Sequence, residues 1–535
     1  MKKNLFAISM MTLVGLYVLL SVIIVGLFIV LELPVHQGIL ISIIVIVIQF
    51  LISPFLTDLS MKWFYHAKFG AELPDYLNKF IQEECTKYNM KKPRIGYIDD
   101  GSPNAFTYGH TKNDARIILT RGIFDLLTEE EVLAVVGHEL GHVTHYDMLF
   151  MTAAALVPLV LYYIYEVCSS SNSDNDSKVG QAKAVASIIA YVLYIVSQYI
   201  VLWLSRTREY YADDFSIKET QNPNALASAL VKIGFGLVTS DEASIPDDDN
   251  KKKASTKNIG ALGIFDAKTS KSLVVSTNNN INNKELIKNS MKWEMWNPWG
   301  FICELNSTHP LISKRLINIS AHSKEYQQEP FITFDLVKPE SYVDDFLIEL
   351  LISYAPVLTI LIGIILAFAI ENGRKNTLFI GGTLVLTAIL CYIKFKRAHK
   401  GGYQDNKIAN LLGEVKVSNV TSVPCILEGN VIGRGNPGCI FNEDFVLRDE
   451  TGIIFLDYNQ PLTVVNKIFA LFKSKEYMDK KIKVKGWYRR CPVPYVEIFE
   501  MEVDGKTKKI YTYYVAIAAM IIMLLIGLFL VYAGL

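Results

Sequence analysis

The chain reads as mainly α, a set of polytopic membrane helices with a small OB-like β-barrel near the carboxyl end. Three observations predict this. Seven apolar runs are each long enough to cross a bilayer, which takes roughly 20 residues of helix. A His-Glu-Leu-Gly-His sequence lies between the second and third of these runs, in uncharged surroundings. From 408 to 503 the pattern changes to short β-type runs broken by Gly and Pro.

The first run, 4–32, exceeds the ~7–15 apolar residues of a signal peptide and is followed by no small-residue cleavage site. A second run, 38–57, comes almost at once, so 1–57 is expected to be a transmembrane hairpin. The segment 58–147 carries ten Lys and Arg, from Lys62 to Arg121, whereas the loop between the first two runs has none. By the positive-inside rule this segment faces the cytoplasm. Runs at 148–167 and 183–205 make a second hairpin (148–205), with the loop 168–182 outside. The segment 206–345 then returns to the cytoplasm. Within it, 238–292 contains Asp247 to Asp249, Lys251 to Lys253 and Asn278 to Asn280. It reads as a mobile insertion, either a lid or a solvated loop. Runs at 346–370 and 377–396 form a third hairpin (346–396), weakened by Arg374 and Lys375 in its turn; a re-entrant hairpin is the fallback. Residues 397–510 form the soluble β domain, with strands expected at 415–417, 425–432, 444–448, 453–458, 482–488 and 495–501. The run 511–533 makes the last segment, 511–535, a transmembrane span. The resulting expectation is an integral protein of the plasma membrane with its site on the cytoplasmic side.

Composition narrows the classes further. Lys and Arg number 53, as do Asp and Glu, so no basic excess argues for nucleic acid. The Arg489-Arg490 pair is too little to argue it for the β domain, where a protein-interaction or regulatory role is the plainer reading. The seven cysteines are scattered and form no Cys-x-x-Cys; they read as free thiols in a reducing compartment.

The motif at 138–142 carries the chemistry. His138 and His142 are four apart, so they project from one helix face, one turn apart. Two imidazoles at that spacing hold a zinc ion, and Glu139 can act as general base toward the water that attacks a peptide carbonyl. Thr128 followed by Glu129, Glu130 and Glu131 is a capped, acidic helix start, and the strand-like run 116–120 precedes it.

A catalytic zinc needs a third protein ligand and an open position. A local continuation would need Gly at 145 and His at 148, where the chain has His145 and Met148. The alternative is a Glu on a later helix. Glu209 supplies it, with Asp213 four residues on, placed to orient a ligand histidine. The plainer reading of Glu209 is an ion pair with Arg206 or Arg208. Two spans, an even number, separate His142 from Glu209, so both emerge on one membrane face. One Zn2+ per chain on His138, His142 and Glu209 is the expected cofactor.

Taken together, these residues resemble the HtpX-type membrane zinc metalloproteases, relatives of the CAAX prenyl proteases. The resemblance covers about 1–320. Its parts are the first hairpin, the run from Pro103 to Gly109, His138 to His142 with Asp147, two further spans, the run from Ser205 to Asp213, and Thr308-His309-Pro310 with Arg315. It implies a gluzincin catalytic domain in a helical membrane bundle, acting on membrane or misfolded proteins. It also implies that Asn104 and Ala105 lie on an edge strand that pairs with substrate backbone; a plain turn is the alternative. His309 would stand at the open zinc position as a catalytic group, or simply open a helix before Pro310. Arg315 would support it, and Asp147 would stand behind the metal ligands. The expected partners are a protein or peptide substrate and membrane lipid, with no nucleic acid and the oligomeric state open. Two alternatives compete: a CAAX-type processing protease for lipidated peptides, and a non-catalytic membrane scaffold binding a partner through the β domain.

Overall fold

The computed structural model describes residues 5–30, 44, 48, 51–52, 54–70, 72–99, 103–170, 178–234, 283–334, 337–338, 340–368, 373–435, 442–478 and 480–535. Helix α1 (Leu5–Val30) opens the chain. The second predicted span, 38–57, lies mostly outside the described residues. A four-stranded sheet follows, from β1 (Lys68–Phe69), β2 (Arg94–Ile98), β3 (Ala105–Gly109) and β4 (Ala115–Thr120), in the order β1-β2-β4-β3. Helix α2 (Asp75–Lys87) packs beside it. After α3 (Arg121–Leu126) comes α4 (Glu129–Thr144), which carries the histidine motif. It starts in a full capping box, with Thr128 N–H donating to Glu131 Oε2 at 2.9 Å. Such reciprocal capping stabilises a helix start.

Two long helices, α5 (Asp147–Ser170) and α6 (Lys178–Thr220), run antiparallel beside α1. At 43 residues, α6 is about 65 Å long, roughly twice the thickness of a hydrocarbon core. Its last turns therefore project beyond the bilayer and pack on α4. That contact is close because α4 presents Gly141: a Cβ there would stand 3.0 Å from Ala212 Cα. Helices α7 (Pro223–Gly234), α8 (Asn283–Trp296), α9 (Pro298–Leu305) and α10 (Ile312–Ser323) complete this part. Most of the expected insertion, 238–282, lies outside the described residues. Its end is corrected: residues 283–292 belong to α8, with Ile287 and Met291 buried in the core.

Beyond these, α11 (Val343–Phe368) and α12 (Gly373–Ala398) form a hairpin, and the last helix, α15 (Thr512–Gly534), packs antiparallel on α12. Gly381 and Gly527 bring the two backbones together, as small residues do between membrane helices. Among the described residues five helices are long and apolar enough to cross a membrane: α5, α6, α11, α12 and α15.

Between α12 and α15 lies the β domain. After β5 (Gln404–Asp405) and α13 (Ile408–Leu412) come β6 (Val423–Arg434), β7 (Phe445–Arg448), β8 (Ile453–Asp457), α14 (Thr463–Phe472), β9 (Lys481–Arg490), β10 (Pro494–Val503) and β11 (Lys506–Lys509). The pairings β6-β7-β8-β10-β9-β6 close a five-stranded barrel. The strand expected at 415–417 is instead a loop. Its carbonyls are taken by side chains of α8 and its flank: Trp293 Nε1 donates to Val417 O at 2.7 Å and Asn297 Nδ2 to Val415 O at 2.8 Å. The barrel docks on α8 through buried Arg490, which donates to Ser290 O at 2.9 Å and pairs with Glu294 at 3.4 Å.

Free thiols throughout are also corrected. Cys303, at the end of α9, and Cys491, just after β9, form a disulfide with Cα atoms 5.6 Å apart. A separation of 188 residues hides this proximity from the sequence; docking of the barrel creates it. Cys85, Cys168, Cys391 and Cys425 are free, and Cys439 lies outside the described residues.

Candidate metal centre

Two helices at close quarters build the site. On α4, His138 and His142 present their Nε2 atoms 3.1 Å apart. From α6, Glu209 enters with Oε2 3.6 Å from His138 Nε2 and Oε1 3.4 Å from His142 Nε2. One ligand atom from each of the three lies within 4.8 Å of the other two. All three side chains are largely shielded from solvent. Glu209 Oε2 accepts no hydrogen bond among the described residues, and the Arg315 guanidinium stands 3.3 Å from it, so this carboxylate is held ionised in a buried place. The three converging donor atoms fit a metal ion, and two imidazoles with one carboxylate suit zinc.

The other ring nitrogens are held from behind. Asp213 Oδ1 lies 2.9 Å from His138 Nδ1, and Asp147 Oδ2 lies 2.6 Å from His142 Nδ1. A carboxylate at Nδ1 fixes the tautomer that leaves Nε2 its lone pair. The carboxylates are themselves anchored. Arg315 donates from Nε and Nη2 to Asp213 at 2.8 and 2.6 Å. Arg208 bonds Asp147 and Ser9, and donates to His145 O at 2.7 Å. Burial pulls both motif imidazoles down. Even so, Asp213 and Glu209 hold His138 above its ordinary pKa, and Asp147 and Glu209 hold His142 well above. A pocket that favours positive charge on its imidazoles is one built around carboxylates.

Glu139, next to His138 and buried, receives a hydrogen bond on Oε2 from Thr107 Oγ1 at 2.7 Å. Thr107 belongs to β3, the edge strand of the small sheet, whose one neighbour among the described strands is β4. Ala105 opens β3, and Asn104 just before it accepts from Thr120 N–H at 3.0 Å. The free edge of β3 thus runs beside the motif helix. His309 lies in the turn before α10, its Nε2 3.5 Å from Glu209 Oε1 and its Nδ1 2.9 Å from Thr308 Oγ1. Burial lowers its pKa, against the pull of Glu209. Arg315 stands 3.3 Å from Glu209, so its support reaches both Glu209 and Asp213.

The structure thus brings His138, Glu139, His142, Asp147, Glu209, Asp213, His309 and Arg315 into one cluster, with Ala105 at the start of the adjoining strand and Asn104 just before it. Sequence reasoning missed Thr107 and the role of Arg208. The alternating run that makes β3 is the one signal that could have pointed to Thr107. Arg208 was weighed as a partner for Glu209; it bonds Asp147 instead.

The sequence profile of peptidase family M48 matches residues 71–323. The "Protease HtpX homolog" of Methanothermobacter thermautotrophicus is 42% identical over 193 residues, covering 36% of this chain and 71% of that protein. The homolog of Archaeoglobus fulgidus is 30% identical over 197 residues, 37% of this chain and 56% of its own. The homolog of Aeropyrum pernix is 27% identical over 282 residues, 52% of this chain and 83% of its own. A crystal structure of S. mikatae Ste24p overlaps 43% of this chain and 59% of its own at 19% identity, with a TM-score of 0.29. The family match ends before α11, so α11, α12, the barrel and α15 lie beyond it. On the match to residues 71–323 and the identity to the HtpX homologs, the chain belongs to the HtpX-type proteins of peptidase family M48.

Proposed function

We propose that this chain is a membrane-embedded zinc metalloendopeptidase that cleaves membrane or misfolded proteins at the cytoplasmic face of the plasma membrane. The observation that carries the reading is the convergence of His138, His142 and Glu209, with a carboxylate behind each histidine. Bound there, zinc supplies a Lewis acid that polarises a carbonyl and lowers the pKa of water toward ~7. Glu139 takes the proton from the attacking water and passes it to the leaving amine. Thr107 Oγ1 holds one oxygen of that carboxylate and leaves the other for the water. The free edge of β3, from Ala105 onward, pairs with an extended substrate segment through backbone hydrogen bonds, which gives affinity with little sequence preference. His309, within reach of Glu209, donates to the oxyanion that develops. The position of the site at the projecting end of α6, beside the start of α5, supports substrates that emerge at the membrane surface.

Replacing Glu139 by Gln removes the base and keeps every ligand. Cleavage of casein, or self-cleavage, is measured with metal content in parallel. Zinc retained with cleavage abolished supports the reading. Cleavage retained rejects Glu139 as the base, and zinc lost would assign Glu139 a structural part.

A further inference from the structure

Helix α14 carries an apolar face that none of the other described residues covers. Its inner side is used: Phe469 stacks on Tyr458 at 4.1 Å, and Asn466 and Ala470 are buried against the barrel end. Its outer side is Val464, Val465, Ile468 and Phe472, the first and last 68% and 73% exposed, with Leu462 just before it. Residues 464, 468 and 472 are spaced by four, so they form a single stripe along the helix. Five large apolar side chains on the eleven residues 462–472 exceed the scatter expected of a water-facing surface.

The helix is also fixed in place. Its leading loop is bonded to the first residues of the membrane helix α15. Gln460 Nε2 donates to Lys509 O at 3.1 Å, Tyr511 N–H donates to Gln460 Oε1 at 3.1 Å, and Thr512 Oγ1 donates to Asn459 O. Asn466 of α14 closes the joint, accepting from Gln460 N–H at 2.8 Å. Exposed Tyr511 and Tyr514 mark the level at which α15 enters the bilayer, since tyrosines gather at the membrane interface. These bonds place the start of the α14 stripe at that level.

We infer that α14 lies in the interface of the same bilayer, its apolar face among the upper acyl chains, and pins the barrel to the membrane surface. An amphipathic helix whose apolar stripe is flanked by a basic residue, here the exposed Lys467, buries the stripe in this way. Because the barrel is joined to α9 by the Cys303–Cys491 disulfide and to α8 by Arg490, the pinning also ties those two helices to the membrane surface.

The test uses the full-length protein with photoreactive p-benzoylphenylalanine at Ile468, and separately at Val464. Both positions are exposed, so the core is untouched. The protein is reconstituted in vesicles of phosphatidylethanolamine and phosphatidylglycerol, irradiated and analysed by mass. The control is Glu450 in the β7–β8 turn, at the opposite end of β7 from Phe445, which packs on Phe469. Phospholipid adducts at 464 and 468 and none at 450 are expected. A cross-link to a second copy of the chain, no adduct at either position, or equal adducts at all three would overturn the inference.

Discussion

Replacing Asp213 tests how the site is held together, because this carboxylate serves His138 and Arg315 at once. It is fully buried, and Arg315 is 6% exposed. In Asp213→Ala, His138 Nδ1 loses its acceptor and the buried guanidinium loses both of its short bonds. Loss of such a partner behind a ligand histidine typically lowers metal affinity 10–100-fold, about 1.4–2.7 kcal/mol. Breaking a buried ion pair typically costs about 3–5 kcal/mol of stability. Here the lower end applies, since Glu209 remains 3.3 Å from Arg315 as a residual partner. That residual pairing also draws Glu209 from the metal, so the loss of affinity should lie at the upper end. The two effects separate in the double variant Asp213→Ala with Arg315→Met. Removing both charges should restore most of the thermal stability, measured on metal-free protein, while zinc affinity, measured by chelator competition, stays reduced. Wild-type zinc affinity in Asp213→Ala would refute a role for Asp213 behind His138. A double variant no more stable than the single one would refute the buried-pair account.

Other expectations follow from the same contacts. Thr107→Val should leave zinc in place and lower kcat roughly five-fold, about the worth of one hydrogen bond of ~1 kcal/mol; a fall in KM alone would contradict this. With Gly401-Gly402 replaced by a specific protease site, the cut halves should migrate together on a non-reducing gel and separate on reduction, and Cys491→Ser should cost about 2–4 kcal/mol of stability. Zinc binding should weaken as pH falls, beginning above the ~6.5 of a free imidazole, because the nearby carboxylates raise both His138 and His142 and a proton competes for each Nε2; release that starts only well below that value would contradict the raised affinity for protons.

The parts of this protein that could be read in sequence are those set by local periodicity. His138 and His142 declare themselves because spacing of four fixes a helix face. Glu209, 67 positions from His142, was legible because an even number of apolar runs returns the chain to the same side. The barrel announced itself by turn residues between short runs. What stayed hidden depends on docking. The Cys303–Cys491 bond exists because Arg490 and Trp293 seat the barrel on α8. The loop at 415–417 looks like a strand until Trp293 and Asn297 claim its carbonyls. Helix α14 was overlooked within the β domain because Val464, Val465 and Ile468 are β-branched and favour strands on propensity alone; packing of Phe469 on Tyr458 overrides that preference. Thr107 looked like an ordinary strand residue until the fold laid β3 beside Glu139.

The central claim is that His138, His142 and Glu209 together hold a single catalytic zinc. Metal analysis of the purified full-length protein tests it most directly. Wild type and Glu139→Gln should each carry close to one zinc per chain, whereas His138→Ala and Glu209→Ala should be largely zinc-free while keeping their helical circular dichroism. Stoichiometric zinc in folded Glu209→Ala would contradict the assignment of the third ligand.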